Sequence, residues 1–237
     1  MCSALLGACG NNQVPKTLKR EQGKVYEIKP ASRDGIGKFY QGREIAHMMG
    51  AAGIEWLNRP ERNKEENTEL AIQKIEMAPT GVIADIGAGS GYYSFRLAKK
   101  VPKGKVYAVE VQNEMIAALT GEKARQKDTI VEIAKGTEMS PNLPAGSVDL
   151  ALMVDVYHEL EYPQEMLQAI KKALKPGGKI LFIEYRGEDA SIPIKPLHKM
   201  TAAQLNKEMA TNGFRLYYKG DFLPIQHFLL YEVGDTK

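Results

Sequence analysis

VIADIGAGSGYYS, residues 82–94, is the stretch on which the reading of this chain turns. An apolar, β-rich run ends at Gly87, Gly89 and Gly91 follow at every second position, and the next residues, SFRLAKKV, are spaced as a helix. Glycines between a strand and a helix allow backbone angles that other residues resist. They also let the main chain approach a ligand with no Cβ in the way. Asp85 precedes the first glycine by two positions, inside the apolar strand. An acid there is costly unless it bonds the loop amides or a ligand cation.

Outward from this turn the chain alternates strand-like and helix-like segments. GKVYAVEV reads as a strand, NEMIAALTGEKARQK as a helix, TIVEIAKG and SVDLALMVDV as strands, and KILFIEY as a further apolar strand. PQEMLQAIKKALKPGG is a helix with proline at its start and Pro176-Gly177-Gly178 at its close. Strand-helix-strand units of this length need crossover connections, hence a mostly parallel sheet with helices on both faces, a doubly wound α/β fold. Thr201 with Gln204 predicts a capping box opening a helix that Asn212-Gly213 closes. FRLYYKGDFLPIQHFLLYEV then reads as two strands, which breaks the alternation and predicts a C-terminal antiparallel hairpin at one edge of a seven-stranded sheet.

Upstream, residues 10–36 are polar and show no sustained apolar period, so they are expected to form a mobile or extended arm. Folded structure is expected from about Phe39, with a small-residue helix over 43–57 and a second over 64–77. The resulting division is an N-terminal arm (1–36), a helical lead-in or cap (37–78) and the main domain (79–237).

Composition narrows the function. The chain of 237 residues is 43% hydrophobic and 26% charged, and its net charge of +3 arises from 32 basic and 29 acidic residues mixed along it. There is no electrostatic footprint of a nucleic-acid binder and no apolar run long enough for a membrane span. Cys2 and Cys9 are the only cysteines. That excludes a disulfide framework, a zinc-thiolate cluster and a cysteine nucleophile from the folded part. The four histidines show no metal-ligand spacing, so no metal is expected.

Loop spacing separates two ligands. A dinucleotide fingerprint G-x-G-x-x-G would put its third glycine at position 92, which is Tyr92. The observed G-x-G-x-G suits an S-adenosyl ligand better than NAD. VIADIGAGSGYYS, VYAVEV, LPAGSVDLALMVDVYHEL and LKPGGKILFIEY together resemble, in order and interval, the motifs of the class I S-adenosylmethionine-dependent methyltransferases over roughly residues 79–233. The resemblance implies an S-adenosylmethionine cofactor, with Asp85, Gly87, Ala88, Gly89 and Gly91 of the loop, Glu110 and Val111 after the second strand, and Asp155 after the fourth in its binding. Glu110, 19 residues beyond Gly91 at a strand end, suits the ribose diol. Where the family often has Gly-Asp near adenine this chain has Gly136-Thr137-Glu138, leaving Thr137 or Glu138 for that role.

The acceptor side is expected beyond the fourth strand, at Asp155-Val156-Tyr157-His158-Glu159. His158 is the candidate base, since an imidazole accepts protons at neutral pH. Asp155 and Glu159 are expected to orient it or the acceptor, and Tyr157 to line the site. His198, His227 and His47 are further candidates, and residues 39–62 and 186–200 are expected to roof a pocket for a small molecule. Missing core cysteines argue against cytosine C5 methylation, and DVYHEL stands where an Asn/Asp-Pro-Pro-Tyr loop would mark amino-group methylation. The alternatives are a nicotinamide-dependent oxidoreductase, which Tyr92 opposes, and a non-catalytic S-adenosylmethionine-binding protein. Cofactor availability points to the cytoplasm, while Leu6-Gly7-Ala8-Cys9 resembles a lipobox and hints at export or anchoring, without the basic start of a signal peptide.

Overall fold

The computed structural model describes residues 25–234, so the lipobox-like Leu6–Cys9 lies outside the described residues. The described chain opens with a three-stranded antiparallel sheet of β1 (Tyr26–Ile28), β2 (Gly35–Tyr40) and β3 (Arg43–Ala46). This corrects both the arm drawn through residue 36 and the helix drawn from Arg43. The β2–β3 hairpin turns on Gln41 and Gly42, whose φ values of 52° and 93° are left-handed. A two-residue type I′ loop requires that at both positions, and its twist matches the flanking strands. Tyr40, Ile45 and Ala46 are buried. The helical part of the lead-in is limited to a 3-10 turn at Ala51–Gly53, α1 (Ile54–Leu57), α2 (Arg62–Glu66) and α3 (Thr68–Lys74).

From there the expected alternation is present: β4 (Val82–Ile86), α4 (Ser94–Lys100), β5 (Lys105–Glu110), α5 (Asn113–Gln126), β6 (Val131–Lys135), β7 (Val148–Val154), α6 (Pro163–Ala173), β8 (Leu174–Tyr185), α7 (Ala202–Thr211), β9 (Phe214–Gly220) and β10 (Gln226–Val233). The seven-stranded sheet has the order β6-β5-β4-β7-β8-β10-β9. Strands β4 to β8 pair in parallel, and β10 is antiparallel to both β8 and β9. Helix α6 stops at Ala173 because Pro176 disfavours helical angles at the residue before it, and LKPGG already runs in β8. Only half of the capping box forms. The Thr201 hydroxyl accepts the Gln204 N–H at 3.1 Å, whereas the Gln204 side chain donates to Gln41 O and Glu208.

Side chains alternate across each strand. Val148, Ala151 and Met153 of β7, with Ile180 and Phe182 of β8, join α6 and α7 in one core. Leu150 and Leu152, with Leu181 and Ile183, join α3, α4 and α5 in the other. Two buried layers therefore clamp the sheet and fix its strand ends. Among the described residues no helix is long and apolar enough to cross a membrane.

Candidate active site

The strand order reverses between β4 and β7: β5 and β6 extend the sheet on one side, β8 and beyond on the other. In open α/β sheets the crevice at such a switch point, outside the carboxyl ends of the strands, is where ligands bind. A cavity of about 770 Å³ opens there. Its walls come from the glycine loop, Glu110 to Gln112, Thr137 and Glu138, Val154 to Val156 with His158 and Glu159, and the covering residues 46–49, 56–57 and 193–195 with His198.

The glycine loop is built on the neighbouring strand. Gly87 and Ala88 N–H donate to Val109 O at 2.9 and 3.0 Å, and Gly89 N–H donates to Glu110 Oε2 at 2.9 Å. Gly89 has φ +56°, and a Cβ there would meet only the Leu57 side chain, at 3.2 Å, so its bare face opens toward the cavity. Gly91 serves a different end. Its φ is +86°, and a Cβ would come within 2.5 Å of the Phe95 ring and 2.8 Å of Leu119. Gly91 does not line the cavity, and its glycine is required by packing against α4 and α5.

Asp85 is buried, accepts the Ser94 hydroxyl at 2.6 Å, and lines the cavity. Burial pushes its carboxyl up to about 6, with Ser94 and Arg62 opposing and the Glu110 charge adding. Glu110 accepts N–H groups from Gly89, Val111 and Gln112. Across the cavity Asp155 takes a left-handed backbone, φ 53°. Its Oδ2 accepts Gln226 Nε2–H at 2.8 Å and lies 3.7 Å from Arg62, while its buried Oδ1 has no partner. Burial, with Glu66 and Glu184 adding, holds this carboxyl well above the usual range against the pull of Arg62. Arg62 is otherwise engaged by Glu66 at 2.8 Å and by Leu57 O.

His158 is buried at the cavity wall between two partners. Nδ1 sits 2.8 Å from Glu184 Oε2, and Nε2 sits 3.2 Å from His198 Nδ1. Glu184 is fully buried and also accepts the N–H groups of Val156 and Tyr157. Burial acts to lower the imidazole pKa, but the Glu184 carboxylate outweighs it and the net shift is upward. His198 is pushed down to about 4 by burial and then by the neighbouring His158. Glu159, which accepts Met49 N–H at 2.8 Å, is pushed up to about 7 by burial, against the pull of His158.

Most of the residues singled out in the sequence therefore meet in one cavity: Asp85, Gly87, Ala88, Gly89, Glu110, Val111, Thr137, Glu138, Asp155 and His158 all line it. Tyr157 does not. It is fully buried, packs edge-on against Phe182 and carries a hydroxyl without a partner, so it belongs to the core. Of the expected roof, Trp56 and Arg62 face the cavity, whereas Arg43 is bound by Glu208 and by His158 O. His47 and His198 line the cavity, and His227 pairs with Glu188 outside it. Sequence reading missed Glu184. Its signal was present, an acid inside the apolar strand KILFIEY, the same mark that drew attention to Asp85.

Residues 84–182 match the family described as "Methyltransferase domain". The ubiquinone/menaquinone biosynthesis C-methyltransferase UbiE of Syntrophotalea carbinolica is 27% identical over 127 residues, covering 54% of this chain and 51% of that protein. The tRNA U34 carboxymethyltransferase of Campylobacter curvus is 29% identical over 115 residues, covering 47% and 38%. The match thus spans about half or less of these relatives' own length. In fold, the chain is similar to the crystal structure of a SAM dependent methyltransferase from Aquifex aeolicus, with a TM-score of 0.73 and 24% identity over 78% of this chain and 98% of that one.

Proposed function

From the premise that residues 84–182 form a class I S-adenosylmethionine-dependent methyltransferase domain, we propose that this chain transfers a methyl group to a small-molecule acceptor held at the His158 corner. The observation that carries the reading is that one cavity contains the glycine loop, Glu110 and the Glu184-braced His158. In this reading the open face of Gly89 and the Asp85 carboxylate receive the amino-acid end of the cofactor, and Glu110 the ribose diol. Thr137 and Glu138 border the adenine, and Gly91 contributes by shaping the loop. Glu110 already accepts three N–H groups. A carboxylate offers about four acceptor positions, so a diol donating twice displaces one of them. The Gly89 N–H is the one that faces the cofactor.

The reaction is an in-line displacement. The methyl carbon leaves the sulfonium, the electron pair of the C–S bond stays on sulfur as a neutral thioether, and the acceptor's nucleophile forms the new bond. The leaving group needs no acid, so alignment supplies much of the catalysis. A neutral hydroxyl or amine must also lose a proton. His158 is the residue through which that proton leaves, and Asp155, which lines the same cavity, orients the acceptor. A small acceptor is favoured by volume. The 770 Å³ must hold cofactor and acceptor together, within the roughly 300–1,000 Å³ usual for small-molecule sites. Charge agrees. Even with Asp155 and Glu159 left out because burial raises their carboxyls, Asp34, Asp85, Glu110, Glu138 and Glu161 outnumber Arg33, Arg62 and Lys195 along the walls, which disfavours a polyphosphate backbone.

Thermal shift with S-adenosylmethionine, S-adenosylhomocysteine and NADH tests the cofactor, because a ligand at 100 times its Kd stabilises the fold by about 2.7 kcal/mol. A homocysteine-release screen over small hydroxyl and amine metabolites then identifies the acceptor. No stabilisation by either S-adenosyl compound refutes the proposal, and stabilisation by NADH alone favours an oxidoreductase.

A further inference from the structure

We infer that the acceptor end of the cavity is a divalent transition-metal site, with His158 Nε2, His198 Nδ1 and a carboxylate oxygen of Glu159 as its protein ligands. This rests on the methyl-transfer reading above and gives His158 a different part in ionising the acceptor: it holds an ion that does so in place of taking the proton itself. The donor atoms of these three residues lie within 4.8 Å of one another, although His158 and His198 are 40 residues apart in the chain. The two nitrogens are 3.2 Å apart. At metal–nitrogen distances of about 2.0–2.1 Å they subtend about 100° at a shared ion, between the octahedral and tetrahedral angles.

The surroundings match such a centre. Metal-bound histidines commonly give their other ring nitrogen to a carboxylate, which fixes the tautomer and aims the free lone pair at the ion. His158 Nδ1 is held in this way by Glu184, 2.8 Å away and itself anchored by two backbone N–H groups. Glu159 Oε2 takes the Met49 N–H, and among the described residues no lysine or arginine is bonded to this carboxylate. Of the nearby cations, Arg43 is committed to Glu208, and Lys195 to Asp34 at 2.7 Å. Two imidazoles and one carboxylate select a first-row transition ion such as zinc, cobalt or iron(II) over magnesium or calcium. Three protein ligands leave at least one position for a substrate atom.

His158, Glu159 and His198 all line the cavity, so a further ligand would come from it, which names the acceptor class: a small molecule with a hydroxyl oxygen as nucleophile. An ion that lowers the pKa of bound water from 15.7 to about 7 acts similarly on a bound hydroxyl. The O–H proton passes to solvent, the oxyanion forms the bond to the methyl carbon, the C–S bond breaks, and its electron pair remains on sulfur. The ion keeps its oxidation state, so no oxidant or reductant enters.

The test is a Co²⁺ titration of the chelator-treated full chain, read by d–d absorption, with S-adenosylhomocysteine affinity measured on the same sample. Expected is one Co²⁺ per chain, displaced by Zn²⁺ and not by Mg²⁺. Loss of an outer-sphere partner already costs about 10–100-fold in metal affinity, so His198→Ala and Glu159→Gln should each weaken Co²⁺ binding by at least about 100-fold. His227→Ala, altering a histidine paired with Glu188 elsewhere, should leave it unchanged. A sample that binds S-adenosylhomocysteine but not Co²⁺ overturns the metal site and leaves the methyltransferase reading intact. Co²⁺ binding that survives both ligand variants also overturns it, because the ion then sits elsewhere, Cys2 and Cys9 included. Co²⁺ binding lost in those variants, in a chain that ignores S-adenosylhomocysteine, upholds the site and refutes methyl transfer.

Discussion

Asp85→Asn turns the electrostatics of the proposed cofactor end into a measurable slope. The carboxyl is 2% exposed, and its pKa is raised from 3.8 to about 6 chiefly by burial. A group with a raised folded pKa contributes stability that is fully present below its unfolded pKa and lost as pH rises through the folded one. Between about pH 4 and 6 the native state holds the proton that the unfolded chain has already released, so stability falls over that window. Over pH 4.5 to 8 these two values make the ionised side chain cost the cofactor-free fold about 2 kcal/mol. Asparagine keeps the shape and can still accept the Ser94 hydroxyl, but it has no charge to desolvate. Urea unfolding at a series of pH values should therefore show the variant gaining about 2 kcal/mol on the parent between pH 4.5 and 8. Taking the difference between the two proteins cancels the other titrating groups. Affinity for S-adenosylmethionine should fall in the same variant, since a neutral amide answers the ammonium poorly. A stability difference that stays flat with pH would refute the assigned burial of charge.

Further outcomes follow from the same geometry. Gly89→Val places a branched side chain at φ +56° on the face that opens to the cavity, and titration calorimetry should find cofactor binding abolished; unchanged affinity would mean the loop is oriented otherwise. Gly91→Ala, at φ +86° and 2.5 Å from the Phe95 ring, should cost more than about 2 kcal/mol of stability, read by denaturant midpoint. His158→Ala should lower turnover by about 10²–10⁴-fold with S-adenosylhomocysteine affinity nearly intact. The parent's kcat/KM should rise with pH through the raised His158 pKa, because the imidazole must shed its proton before Nε2 can act; a flat profile counts against it. Tyr157→Phe removes a buried hydroxyl that has no partner, so melting temperature should hold or rise and turnover should not change. A tenfold loss of rate would return Tyr157 to the chemistry.

What could be read in the sequence, and what could not, follows from how far each signal reaches along the chain. The parallel sheet was readable because its strands are buried on both faces and alternate between two cores, as Leu150 and Leu152 do against Ala151 and Met153. Asp85, Glu110 and the glycines were readable because a strand end and its turn are local. The first hairpin was not. Its loop is Gln-Gly, where Asn-Gly or Asp-Gly would mark a type I′ turn. Its inward positions also include Lys38, stacked on the Tyr26 and Tyr162 rings, and Glu44, which accepts the N–H groups of Ser32 and Gly37. Polar residues facing inward erase the alternation that names a strand. The Glu159 and His198 neighbourhood of His158 depends on how residues 193–198 pack across the end of β7, a long-range matter on which spacing is silent. Tyr157 is the instructive error. Adjacency to Asp155 and His158 suggested a shared direction, but Asp155 is left-handed and a 3-10 turn begins at Tyr157. Successive side chains diverge there, sending Tyr157 into the core and His158 to the cavity. A non-glycine residue at positive φ costs of order 1–3 kcal/mol and persists where the surroundings over-determine it. At Asp155 they do so through its N–H to Ile183 O and its carboxylate to Gln226. The backbone strain is thus located at the residue that divides core from site.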